Sequence, residues 1–124
     1  MLLVEDDADT RELLTTLLQR CGARVTAVGS ASEALMTIAL TQPDVLVSDI
    51  AMPGEDGYAL IRKIRLRDAD QGRWLPAVAL TAYARDEDRA RALAAGYQRH
   101  LTKPVDPAAL ARTVAVLSGR VRAA

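Results

Sequence analysis

Short apolar runs alternate with helix-period segments along this chain. The runs are Met1–Val4, Val25–Val28, Asp44–Ser48, Ala77–Leu80 and a more polar one near Gln98–Leu101. After the first run, Leu13, Leu14, Leu17, Leu18 and Cys21 fall at the spacing of one helical face. Asp9 with Glu12 has the form of a capping box, and Gly22 supplies a stop. Ser30 with Glu33 forms a second box ahead of Ala34, Leu35 and Ile38. Gly57 opens a helix that turns Leu60, Ile61 and Ile64 inward and Arg62, Lys63 and Arg65 outward. Asp68–Pro76 reads as the longest irregular connection, with Trp74 as a partly exposed packing anchor. Asp86, Glu87 and Asp88 suit the first turn of the next helix, which Gly96 ends. Asp106 and Pro107 then start a last helix with Leu110, Val114 and Leu117 inside. Five strands alternating with five helices predict an α/β fold, a parallel sheet covered on both faces with right-handed crossovers. The polar last strand is expected at a sheet edge.

Several runs end abruptly in reactive side chains. Met1–Val4 ends in Glu5-Asp6-Asp7, Val45–Ser48 in Asp49, and Ala77–Leu80 in Thr81. Lys103 follows the last run and precedes Pro104. In an open parallel sheet the carboxyl ends of separate strands meet at one edge, where such folds place their ligands.

The bulk numbers narrow the classes. The chain has 124 residues and is 50% hydrophobic, which fits one domain with an ordinary core. The expected domain is 1–118, with 119–124 a flexible tail or linker stub. Lys plus Arg number 16, as do Asp plus Glu, so the balance argues against bulk nucleic-acid binding. No apolar stretch is long enough to span a bilayer, and no basic segment followed by a long apolar one marks a signal peptide. A cytoplasmic domain without membrane contact is expected. The single cysteine, Cys21, has no internal partner and is expected to be a buried structural thiol.

Asp49 has no ready structural role. Pro53 and Gly54 intervene before the next helix, so it is a poor cap. A carboxylate can attack phosphorus to form an acyl phosphate. Glu5, Asp6 and Asp49 are hard oxygen ligands that suit Mg²⁺, and a bound metal offsets phosphoryl charge. A hydroxyl such as Thr81 can donate to a phosphoryl oxygen, and a lysine ammonium such as Lys103 is a compact charge suited to phosphate. Small Ala82 leaves the site open. Pro104 restricts Lys103 to extended or turn backbone and permits a cis bond. Each residue also has a plainer reading: a capped acidic turn, a strand-end hydroxyl, a solvated lysine.

Taken together in order, Val4-Glu5-Asp6-Asp7, Asp49 through Gly57, Leu80-Thr81-Ala82 and Lys103-Pro104-Val105 resemble the receiver domain of two-component response regulators, from Leu2 to Leu117. The resemblance implies a flavodoxin-like doubly wound sheet of order 2-1-3-4-5, an order known for this fold. It implies that Asp49 accepts a phosphoryl group from a histidine kinase or histidine phosphotransfer domain. Asp6 and Asp49 would ligate Mg²⁺ directly, Glu5 through water, and Ala51 through its main-chain carbonyl. Lys103 would pair with the phosphoryl group and Thr81, beside Ala82, would move to hydrogen-bond it. The domain would catalyse only its own phosphorylation and dephosphorylation. Phosphorylation would reshape the face made by the fourth helix, fifth strand and fifth helix for a downstream protein or linked domain. The segment Gly96–Leu110 looks most like receivers of hybrid kinases.

The pattern departs from the family at two places. His100, the only histidine, stands where the family commonly has a switch aromatic. It is read either as a switch with pH sensitivity or as an edge-strand histidine that does not switch. Ala51 and Tyr83 occupy positions that influence loss of the phosphoryl group, and Ala51 has no side chain to orient a water, so self-dephosphorylation is expected to be slow. Competing readings are a degenerate receiver acting as an interaction module and, further off, an aspartate-nucleophile phosphohydrolase. The latter would need an acid at Ala51. A dinucleotide site is disfavoured by the acidic, glycine-poor first turn.

Overall fold

In a computed structural model, residues 1–82 and 85–119 are described. The elements run β1 (Leu2–Val4), α1 (Ala8–Arg20), β2 (Thr26–Val28), α2 (Ala31–Thr41), β3 (Leu46–Asp49), α3 (Gly57–Gln71), β4 (Ala77–Thr81), α4 (Asp86–Ala95), β5 (Arg99–Thr102) and α5 (Pro107–Leu117). The sheet is parallel, in the order β2-β1-β3-β4-β5, as the family resemblance implies. Of the segment read as a tail, Arg120–Ala124 lies outside the described residues, as does Tyr83.

Successive strand side chains point to opposite faces, and both faces are apolar because both are covered. Leu2, Val4, Leu46, Ala77 and Ala79 join the core under α2, α3 and α4. Leu3, Val47, Val78 and Leu80 join the core under α1 and α5. Leu2, Leu3, Leu46, Leu80 and Leu110 are fully buried, so the central strands are fixed in register from both sides.

Helix starts follow the side-chain chemistry with one change. Ser30 accepts from the Glu33 amide, Asp56 from the Ala59 amide, and Asp106 from the Ala108 amide with Pro107 following. In α1 the cap is Asp7, not Asp9. Its carboxylate accepts from the Thr10 amide at 2.9 Å and from the Thr10 hydroxyl at 2.6 Å. Thr10 supplies both donors three residues on, so Asp7 outcompetes Asp9 for the position.

Four other expectations change. Cys21 is exposed, because it caps the carboxyl end of α1 and its backbone leaves the helix there. Leu13 is exposed on the shoulder of the face that buries Leu14 and Leu18. The connection before β4 is shorter than Asp68–Pro76, because α3 continues to Gln71 and ends on Gly72 in the left-handed region (φ 67°). Arg65 does not point outward. Its guanidinium donates to the carbonyls of Gly96 and Leu75, pairs with Asp68 at 2.8 Å, and stacks 3.8 Å from the centroid of the Trp74 ring. Trp74 is exposed at the amino edge of the sheet, as expected, with Arg65 as its packing partner.

Candidate functional site

Strand register assembles the acids at the carboxyl edge. Val4 pairs with Ser48, which places Glu5 and Asp6 beside Asp49. Asp49 in turn pairs with Leu80, one residue before Thr81. Glu5 and Asp49 are buried and Asp6 is exposed. One carboxylate oxygen from each of the three lies within 4.8 Å of the others. Among the described residues this group is a carboxylate cluster able to hold a divalent cation.

Lys103, the residue after β5, closes the group. Its ammonium lies 2.9 Å from Glu5 Oε2 and 3.3 Å from Asp49 Oδ1. The Lys103 amide donates to the Thr81 carbonyl at 2.7 Å, which seats the lysine one strand away from the acids. The Lys103–Pro104 bond is cis. Thr81 is buried at the end of β4. Ala51 and Ala82 are exposed beyond their strands, and the Ala51 amide donates to Asp49 Oδ1 at 3.3 Å.

The electrostatics follow from burial. Loss of water and the neighbouring Glu5 carboxylate push the Asp49 pKa up to about 6, against the attraction of Lys103. Burial alone would lower the Lys103 ammonium. The hydrogen bond to Glu5 and the charges of Asp49 and Glu5 outweigh it and hold the lysine above its ordinary value. Three carboxylates facing one ammonium leave an excess of negative charge when all are ionised. A hard divalent cation relieves that excess, and an all-oxygen donor set suits such an ion.

His100 is not part of this cluster. Leu101 faces the α1 and α5 side, so His100 faces α4. Its Nε2 is buried without a hydrogen-bond partner among the described residues. Burial and then the nearby Arg89 lower its pKa, with Asp88 opposing them. A cavity of about 340 Å³ between the feet of α2 and α3, lined by Gln42, Arg67 and Trp74 among others, opens at the opposite edge and holds none of these acids.

Two supports of the acidic cluster, one under Asp49 and one under Glu5, were not visible in the sequence pattern. Gly57 packs against the strand end. A methyl carbon built there would lie 2.6 Å from the Asp49 carbonyl oxygen and 2.8 Å from Ile50 Cα. The Gly57 amide also donates to the Ile50 carbonyl at 2.9 Å, and the buried Tyr97 hydroxyl donates to the Gly57 carbonyl at 2.7 Å. Gly57→Ala therefore forces backbone apart directly beneath Asp49. The expected cost is about 2 kcal/mol, read as a lower denaturant midpoint at unchanged slope. The other support is Arg11, whose Nη1 donates to the Glu5 carbonyl at 2.8 Å. An arginine on an early helical turn carries no pattern that announces such a bond.

Known proteins with this arrangement are numerous. A family model described as the response regulator receiver domain matches residues 1–115. An uncharacterized 14.6 kDa protein from the sodA1 3' region of Leptolyngbya boryana is 52% identical, over 92% of this chain and 86% of that protein. Sensor histidine kinase GacS of Pseudomonas protegens is 36% identical over 96% of this chain, which covers only 13% of that kinase. Among solved structures, the receiver domain of sensor histidine kinase PA1611 from Pseudomonas aeruginosa PAO1 aligns with a TM-score of 0.84 at 35% identity, covering 95% of each chain. That structure has a magnesium ion coordinated in its active site cleft. The signal receiver domain of a signal transduction histidine kinase from Syntrophus aciditrophicus aligns with a TM-score of 0.84 at 32% identity, over 99% of this chain and 92% of that one.

Proposed function

Because this chain belongs to the response regulator receiver domain family, we propose that it is a phosphorelay switch whose phosphoacceptor is Asp49. The carrying observation is a buried carboxylate at a strand end, crowded by Glu5 and bridged by Lys103. The donor is the phosphohistidine of a histidine kinase or histidine phosphotransfer domain, a reading supported by similarity to a hybrid signal transduction histidine kinase and to the receiver domain of a sensor histidine kinase. An Asp49 oxygen forms a bond to phosphorus as the phosphorus–nitrogen bond breaks, and the imidazole leaves with its electron pair. Glu5, Asp6, Asp49 and the Ala51 carbonyl are the residues that would hold Mg²⁺, which when bound offsets charge on the phosphoryl oxygens. Lys103 exchanges its contact with Asp49 for a phosphoryl oxygen, and Thr81, at the edge of the cleft beside Ala82, donates to another.

The proposed domain spans 1–118 and turns over no other substrate. Its output surface is the α4, β5 and α5 face, which a shift of Thr81 and β5 would reshape for a protein or linked domain. The same reading places it in the cytoplasm, where no nucleic acid or membrane contact is required of it. Among the described residues, no helix is long and apolar enough to cross a membrane.

The test is intact mass after incubation with Mg²⁺ and acetyl phosphate. One phosphoryl group should be gained, lost again in alkali, and absent when a chelator removes the metal. After donor removal the added mass should decay slowly, since Ala51 offers no side chain to orient water. No gain with acetyl phosphate or a cognate kinase would instead leave an interaction module that is not phosphorylated.

A further inference from the structure

We propose that Arg11 is a positioning residue for the acidic turn, its guanidinium holding the main chain of Glu5 so that Glu5 and Asp6 face Asp49 as one cation site. This rests on the reading of that cluster as a divalent-metal site. Glu5 follows the last paired residue of β1, so the ladder alone does not fix it. Its amide is held by the Val28 carbonyl at 3.1 Å, and its carbonyl by Arg11 Nη1 at 2.8 Å. The peptide groups on both sides of the Glu5 side chain are thereby tied, one to β2 and one to α1. Arg11 is itself seated by the helix, its amide donating to the Asp7 carbonyl at 2.9 Å.

Gly29 completes the seat. A methyl carbon built at Gly29 would lie 2.9 Å from Arg11 Nη1 and 3.7 Å from Cζ. The loop after β2 therefore leaves the guanidinium its place by lacking a side chain. The near atom is the far end of a flexible side chain, so Gly29→Ala would displace the guanidinium rather than break the fold. It would do so with the arginine charge intact.

Charge and position predict opposite signs. A guanidinium near the acidic turn repels a divalent cation, so on charge alone its removal tightens metal binding. As a positioning group its removal loosens the carboxylates and weakens binding, and partners outside the ligand shell typically contribute 10–100-fold to metal affinity. Mn²⁺ titration of the full chain, followed by electron paramagnetic resonance well below the melting temperature, separates the two. R11A should weaken Mn²⁺ binding about tenfold. R11K, which keeps a donor and the charge, should recover most of the loss, and G29A should weaken binding several-fold. In the metal-free protein, amide hydrogen exchange at Glu5, Asp6 and Asp7 should quicken in both R11A and G29A. Unchanged or tighter binding in R11A, or no change in G29A, overturns the positioning role while leaving the metal site standing. Absence of Mn²⁺ binding by the unsubstituted chain overturns the metal reading itself, and the positioning role with it.

Discussion

Asp49→Asn is expected to abolish phosphoryl acceptance and, in the metal-free protein at pH 8, to raise stability. The first effect follows from chemistry, since an amide oxygen is too weak a nucleophile to replace the carboxylate. The second follows from linkage. In the folded protein burial and Glu5 raise the Asp49 pKa to about 6, above its unfolded value near the ordinary carboxylate range. The fold therefore favours the protonated acid. That contribution is fully present below the unfolded value and is lost as pH rises through about 6. A shift of this size corresponds to at most about 3 kcal/mol, and screening at a cleft open to water reduces it to about 1–2 kcal/mol. The asparagine side chain would keep the acceptor for the Ala51 amide and remove the repulsion from Glu5. Denaturant unfolding at pH 4 and pH 8 should show the gain only at the higher pH. Saturating Mg²⁺ should shrink it, because the ion binds the native carboxylate more tightly than the amide. A variant less stable than the parent at pH 8 would mean that the Lys103 contact with Asp49 outweighs the crowding.

Much of this site was legible because it is local. Glu5-Asp6, Asp49, Thr81 and Lys103 each follow an apolar run, and a parallel sheet sends such ends to one edge. The register at Val4–Ser48 and Asp49–Leu80 then follows from which residues must face the two cores. Features that depend on reach rather than period were not legible. Arg65 has the spacing of an exposed residue, yet its stem packs toward Gly96 and its guanidinium reaches carbonyls of two loops. Cys21 keeps the spacing of Leu14 and Leu18, but the helix ends beneath it. Asp9 and Glu12 match a capping motif that Asp7 and Thr10 satisfy sooner. The close approach of Gly57 to Asp49 is set by how α3 meets β3, which no local pattern encodes. The positions of Asp49 and its neighbours are thus written in strand ends, while what steadies them is written in side-chain length and backbone space.

The largest loss of stability is expected from Asp68→Ala, at a distance from the acids. Asp68 is buried on α3, and one of its oxygens accepts from Arg65 Nη1 at 2.8 Å and from the Leu75 amide at 3.0 Å. Arg65 in turn donates to the Leu75 and Gly96 carbonyls. The pair ties the end of α3 to the loop entering β4 and to the turn between α4 and β5. Truncation leaves a largely buried guanidinium without its counter-charge and a buried amide without an acceptor. Together these cost about 3 kcal/mol, or a melting point lower by roughly 10 °C for a chain of this length. Asp68→Asn keeps an acceptor for the Leu75 amide and should lose about half as much. Because the pair touches neither Asp49 nor Lys103, both variants should still gain one phosphoryl group at temperatures where they are folded. Equal melting points for the parent and Asp68→Ala would show that the ion pair contributes nothing beyond the hydrophobic packing around it. An Asp68→Ala protein that melts lower and also refuses the phosphoryl group while folded would show that the turn before β5 helps to set Lys103 in place.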